Sequence, residues 1–274
     1  MRRHKIATFL LILFSAPSCF FSKNAPTPIK QETIEFPLKK NWLEKRYTKR
    51  DTNSKVKLFF IVHNLGLNTT TTKKILEILP KEVAISLSPY VKQSENILKT
   101  INKREGPVFW IQPMELYRQP NDVIDPYCLS RYKEKAQNIN SITNSLSDMP
   151  NCVTGIIAEE TSPVLRDEET LSILLTELKK RKLPLLSPEI SVNSEFMNLC
   201  DTYGVTCDEA DYFISRTNTE SDVVSLLNRV QELGEQTGYV VCVIDAHMPY
   251  VVMFLDWYNR LNKEHFELSS YGVK

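Results

Sequence analysis

The sequence predicts a parallel α/β domain, its sheet open or closed into a barrel, over residues 55–274. Three observations carry this reading. Short apolar runs rich in branched and aromatic residues alternate with amphipathic segments long enough to be helices. Most of the short runs end on a polar or ionisable residue, as strands do where they feed the loops of such a fold. The composition, 42% apolar and 24% charged, is that of a folding chain and excludes disordered, collagen-like and polytopic membrane classes. A length of 274 residues accommodates one large domain or two small ones. With 34 Lys and Arg against 33 Asp and Glu the net charge is +1, so the basic excess of a phosphate-contacting protein is missing and nucleic acid is not an expected partner.

The elements follow in order. Residues 56–62, Val-Lys-Leu-Phe-Phe-Ile-Val, read as a buried strand closed by a turn at His63-Asn64-Leu65-Gly66. Ile75, Leu76 and Leu79 give helical spacing over 70–79, and 83–87 is the next strand, ending at Ser88-Pro89-Tyr90. The pattern predicts a helix over 94–103 and a strand over 108–112, then a helix over 130–146 and a strand over 153–158. A helix over 168–182 leads to a strand over 183–186. Residues 195–203 and 222–237 look helical, 212–215 is a short strand, and 239–244 is the most continuous strand of all.

Ahead of this domain, Arg2, Arg3, His4 and Lys5 precede the apolar run 6–14 and the small residues Ser15-Ala16-Pro17-Ser18-Cys19. That order is the signature of a secretory signal. Residues 1–21 are therefore expected to be a signal peptide or a membrane anchor, and the chain to be exported, periplasmic or tethered facing the periplasm. Residues 22–54 read as a basic linker with one short helix around 42–47. Its Lys39, Lys40, Lys45, Arg46, Lys49 and Arg50, opposed only by Glu44 and Asp51, could lie against anionic head groups beside a membrane. Beyond Cys19 the chain has Cys128, Cys152, Cys200, Cys207 and Cys242, an odd number, with Cys200 and Cys207 the plausible disulfide pair.

In parallel α/β folds the chemistry sits at the carboxyl ends of the strands. A census of those ends finds His63 and Asn64, Glu115, Glu159 and Glu160, Glu189, and Asp245 with His247. Tyr90, Trp110, Tyr117, Tyr127, Tyr250 and Trp257 are aromatic candidates for a groove that stacks on sugar rings or holds a protein partner. Helical spacing after Val252, Met253 and Phe254 assigns Trp257 to the core, whereas Tyr117 and Tyr250 are expected in loops and are the better groove residues.

The run Lys57-Leu58-Phe59-Phe60-Ile61-Val62-His63-Asn64-Leu65-Gly66-Leu67, then Leu79-Pro80, Ser88-Pro89-Tyr90, Pro113-Met114-Glu115 and Asp125-Pro126, resembles the divergent polysaccharide deacetylases. Gly155-Ile156-Ile157, the helix end at Leu178 to Leu183, Ser191, Ser194, Gly204-Val205, Asp211-Tyr212-Phe213-Ile214 and the unit from Gly238 to Trp257 continue the likeness in order. The resemblance implies a distorted (β/α) barrel of the polysaccharide deacetylase type, related to carbohydrate esterases that remove acetyl groups from amino sugars.

The resemblance also implies a site that this sequence alters. His63 and Asn64 stand where the family has two aspartates, one a metal ligand and one a base, and Ile111 stands at a family histidine. The family's Asn-His-Met-Gly-Ser-Arg is Ala158-Glu159-Glu160-Thr161-Ser162-Pro163 here, so Glu159 replaces its histidine and Pro163 its arginine. Its Asp-Ser-Arg-Thr-Ser is Ser187-Pro188-Glu189-Ile190-Ser191, and its last histidine falls on Asp245, or on His247 after a two-residue slip. Asn64, Glu115 and Glu159 thus occupy the rim positions that correspond to chemistry. Asparagine in place of aspartate removes charge and basicity, and isoleucine cannot ligate metal, so the expectation is an envelope protein degenerate at the metal site, without cofactor, acting in glycan or envelope-protein binding through Tyr117 and Tyr250. The alternative is a deacetylase rewired to bind zinc or another divalent ion through His63, Asp245 and His247.

Overall fold

The computed structural model describes residues 54–93, 95–116, 125–159, 162–189 and 195–271. The expected signal or anchor, nearly all of the basic linker, Tyr117, Glu160, Thr161, Ser191 and Ser194 lie outside the described residues. The strands, all parallel to their neighbours, are β1 (Val56–Leu65), β2 (Ala84–Leu87), β3 (Val108–Gln112), β4 (Gly155–Ala158), β5 (Leu185–Ser187), β6 (Cys207–Glu209), β7 (Tyr212–Ile214), β8 (Tyr239–Asp245) and β9 (Phe266–Leu268). Between them run the helices α1 (Thr69–Ile78), α2 (Glu95–Asn102), α3 (Lys135–Ser147), α4 (Glu168–Arg181), α5 (Glu195–Tyr203), α6 (Glu220–Thr237) and α7 (Met248–Arg260).

The strand order is β6-β5-β4-β3-β2-β1-β8-β7, with β9 beside the first residues of β1. The two ends of that path, β6 and β7, are consecutive in sequence and separated only by Ala210 and Asp211. The Ala210 N–H donates to the Ser187 carbonyl on β5 and the Asp211 N–H to the Val241 carbonyl on β8, both at 2.8 Å. One stretch of chain thus changes partners from one edge to the other, and the sheet curls until both edges share it. This is the distorted (β/α) barrel.

Strand alternation splits the core in two. Leu58, Phe60 and Val62 face the helices with Trp110, Ile156 and Phe254. Ile61, Phe109, Ile111, Ile157, Leu186, Val241 and Val243 line the inside of the curl, where Tyr271 packs and its hydroxyl donates to Asp208 at 2.7 Å. Gly155 permits this density, since a Cβ there would lie 2.7 Å from the Phe109 ring.

Several expected boundaries move, each for a local reason. β1 continues through a register irregularity to Leu65 rather than ending at Val62, and β8 reaches Asp245, so His63 and Asp245 lie within strands as register partners. α3 starts at Lys135 and not at Ser130: Ser130 exchanges hydrogen bonds with the Asn138 side chain, and Glu134 with Gln137 forms a capping box. α1, which opens on four threonines of weak intrinsic helix preference, is held by its cap, the Asn68 side chain accepting from the Thr71 N–H at 2.9 Å. Tyr250, expected in a loop, belongs to the first turn of α7 and is 5% exposed. Trp110 is fully buried in β3, its Nε1 donating to Ser145 Oγ at 3.1 Å, and so lines no groove. Trp257 is buried as expected. Cys200 and Cys207 are disulfide-bonded with Cα atoms 6.0 Å apart, tying α5 to β6.

Candidate functional site

At the carboxyl end of β1 the chain turns through Asn64, whose φ of 65° is left-handed, a conformation asparagine tolerates better than most residues. This turn aims three groups at one another. His63 is 0% exposed, and its Nδ1 is 2.8 Å from Ser86 Oγ on β2. The Asn64 N–H donates to the same hydroxyl at 3.2 Å, and its side-chain amide donates to Asp245 Oδ1 at 3.2 Å. On the far side, the Arg216 backbone N–H donates to Asp245 Oδ2 at 3.1 Å, with the Arg216 Nε 3.9 Å from that oxygen. The parallel register sets His63 directly opposite Asp245, which explains why residues so distant in sequence meet.

Burial lowers the His63 pKa from 6.5 to about 4, against the pull of Asp245 upward and with the Arg216 charge pushing further down, so the ring is neutral at physiological pH. His63 Nε2 and His247 Nδ1 are buried and have no hydrogen-bond partner among the described residues. His247 packs edge-on against Tyr250 at 4.4 Å between ring centroids, and the Tyr250 hydroxyl donates to the Asn218 carbonyl at 2.5 Å.

A second group lies past β3. Glu115, 3% exposed, accepts from Ser130 Oγ at 2.5 Å, from the Arg131 N–H at 2.8 Å and from Arg131 Nε at 2.6 Å. In the same connection Asp125 accepts from the Tyr90 hydroxyl and from the Tyr127 N–H, and the Tyr90 and Tyr127 rings meet edge to face at 5.7 Å. Burial foremost, then the hydrogen bond and charge of Asp125, push the Tyr90 phenol up. Glu159 follows β4 directly, half-buried at the same carboxyl end.

The divalent ion of the esterase chemistry can be tested against these donors. Asn64 offers a neutral amide already given to Asp245, Ile111 lies in the apolar interior, and Asp245 has a guanidinium beside it. Among the described residues no three His, Cys, Asp or Glu side chains are grouped so as to hold a metal ion. His63, Asp245 and His247 therefore do not form a joint ligand set, and this donor set does not fit the ion.

Sequence reasoning named His63, Asn64, Asp245 and Glu115 but missed Ser86, Arg131 and Arg216. Arg216 carried a usable signal, since it follows β7 at the same carboxyl end. Ser86, in mid-strand, carried none.

The fold recurs in solved structures. The uncharacterized protein ATU2773 of Agrobacterium tumefaciens C58 superposes with a TM-score of 0.71 at 18% identity, covering 82% of this chain and 92% of that one. A putative cellobiose-phosphate cleavage protein, EF3048 of Enterococcus faecalis V583, gives 0.55 at 12% identity over 80% and 98%. A mutant of BA3943, a CE4 family pseudoenzyme with restored enzymatic activity, gives 0.46 at 12% over 79% and 66%, too distant to bear on fold or chemistry. No curated protein matches the chain. The family profile of the divergent polysaccharide deacetylases matches residues 60–272, from the first strand to the tyrosine packed inside the barrel. With sequence and barrel in agreement over that span, the chain belongs to the divergent polysaccharide deacetylase family.

Proposed function

We propose that this chain is an exported envelope protein that binds glycan on a deacetylase scaffold without hydrolysing it. The observation that carries the reading is the engagement of Asp245. Deacetylation of this kind polarises an amide carbonyl and generates hydroxide at a metal with about three protein ligands and an open position. Here the buried carboxylate accepts from Asn64 and from the Arg216 backbone, with the Arg216 side chain as its counter-charge. Glu115, occupied by three donors, serves as a fixture of the rim rather than as a base. Export is supported by the charged, apolar and small-residue order of residues 1–19.

The test combines metal analysis of the purified full-length chain with acetate release and calorimetric binding, using chitooligosaccharides and peptidoglycan fragments. The expected outcome is saturable binding of at least one of these with neither stoichiometric metal nor acetate release. Stoichiometric metal that is lost in His63→Ala or His247→Ala, together with saturable acetate release, would overturn the reading in favour of a rewired hydrolase. Failure to bind any of the oligosaccharides would also end it.

A further inference from the structure

Arg216 combines fixed placement with unused donors. Its backbone N–H is bound to Asp245 Oδ2, and the turn that carries it is tied by the Ser215 N–H to Asn218 Oδ1 at 2.8 Å and the Asn218 N–H to the Ser215 carbonyl at 3.0 Å. The side chain is 55% exposed while that of Asp245 is 6% exposed, so the carboxylate sits behind the guanidinium and the guanidinium faces outward. At 3.9 Å the Nε contact is an ion pair, beyond hydrogen-bond distance. All five guanidinium N–H donors are thus without protein acceptors among the described residues. A planar fork of this kind matches the two oxygens of a carboxylate, and anchoring its backbone beforehand reduces the ordering cost of binding. Buried Asp245 anchors the Arg216 backbone and stands behind the guanidinium as its counter-charge without occupying its donors.

We propose that the rim selects a carboxylate-bearing saccharide, with the Arg216 guanidinium, backed by Asp245, receiving the carboxylate. This rests on the glycan-binding reading above and narrows it: a neutral acetylated amino-sugar polymer offers the fork only single uncharged carbonyl and hydroxyl acceptors, whereas a uronic or lactyl-bearing sugar offers a charged pair of oxygens. Asn64 donates to the other carboxylate oxygen, Oδ1, and adds no charge beside the guanidinium.

The experiment compares tetragalacturonate with chitotetraose by calorimetry on the full-length chain, at low and at physiological salt. Tetragalacturonate is expected to bind about tenfold or more tightly than chitotetraose, the advantage shrinking with salt. Arg216→Gln is expected to abolish the preference and Arg216→Lys to keep only part of it, with unchanged melting midpoints certifying both folds. Asn64→Asp retains Arg216 but sets a second carboxylate against Asp245, and should weaken tetragalacturonate binding alone. Equal affinity for the two sugars, or a preference that survives Arg216→Gln, overturns this inference and leaves glycan binding standing. If neither sugar nor any peptidoglycan fragment binds, while a short peptide with a free carboxyl terminus does, both readings fall.

Discussion

Burial holds the His63 imidazole at a pKa of about 4, against the 6.5 of the unfolded chain. Between those values the unfolded state takes up a proton that the native state refuses, so stability is complete above about pH 6.5, falls as pH drops, and levels off below about 4. The loss through that window is on the order of 3 kcal/mol. Urea unfolding of the wild type at about pH 7 and about pH 4 should show it, and His63→Gln should flatten the slope between them. A slope unchanged in that variant would assign the acid sensitivity to other groups. The rule that placed His63, Glu115 and Asp245 at strand ends was sound because parallel strands deliver their carboxyl ends to one rim. Tyr250, expected in a loop, lies instead in the first turn of α7, where Pro249 is compatible with the helix because its missing N–H would have no partner there anyway.

At the scale of elements, the Cys200–Cys207 bond joins α5 to β6, a strand of three residues whose start is otherwise held by its pairing with β5. The chain-entropy account assigns such a short loop about 2 kcal/mol. Cys207→Ser is expected to cost that amount in denaturant unfolding, and a reducing agent should bring the wild type to the same midpoint. A wild type indifferent to reduction would mean that the bond contributes nothing in the native chain. The long elements, α4, α6 and β8, were legible because apolar periodicity and caps agree along them: Asp167 opens α4, and Thr219 opens α6 with Asp222 completing its capping box. β6 was not legible. Cys-Asp-Glu has no strand pattern of its own and pairs only because β5 offers an edge.

Closure is a property of the whole molecule and rests on Ala210 and Asp211, whose N–H groups reach β5 and β8 in turn. Both amides are expected to exchange with deuterium only on global unfolding, alongside those of β1 and β8. Exchange within minutes at either amide would mean that the two edges part in the native state. The fold class was visible in the sequence through the strand and helix alternation, whereas the curl into a barrel was expected only through the family resemblance, because a partner switch between two three-residue strands leaves no periodic trace. The same two residues set a limit on rearrangement. New chain termini placed between Ala210 and Asp211 by circular permutation would turn a shared strand into two short free edges, each with unpaired backbone groups facing outward. The nearest strand able to satisfy either edge would then belong to another copy, so opening this barrel at its seam is a route to exchange between molecules and to aggregation.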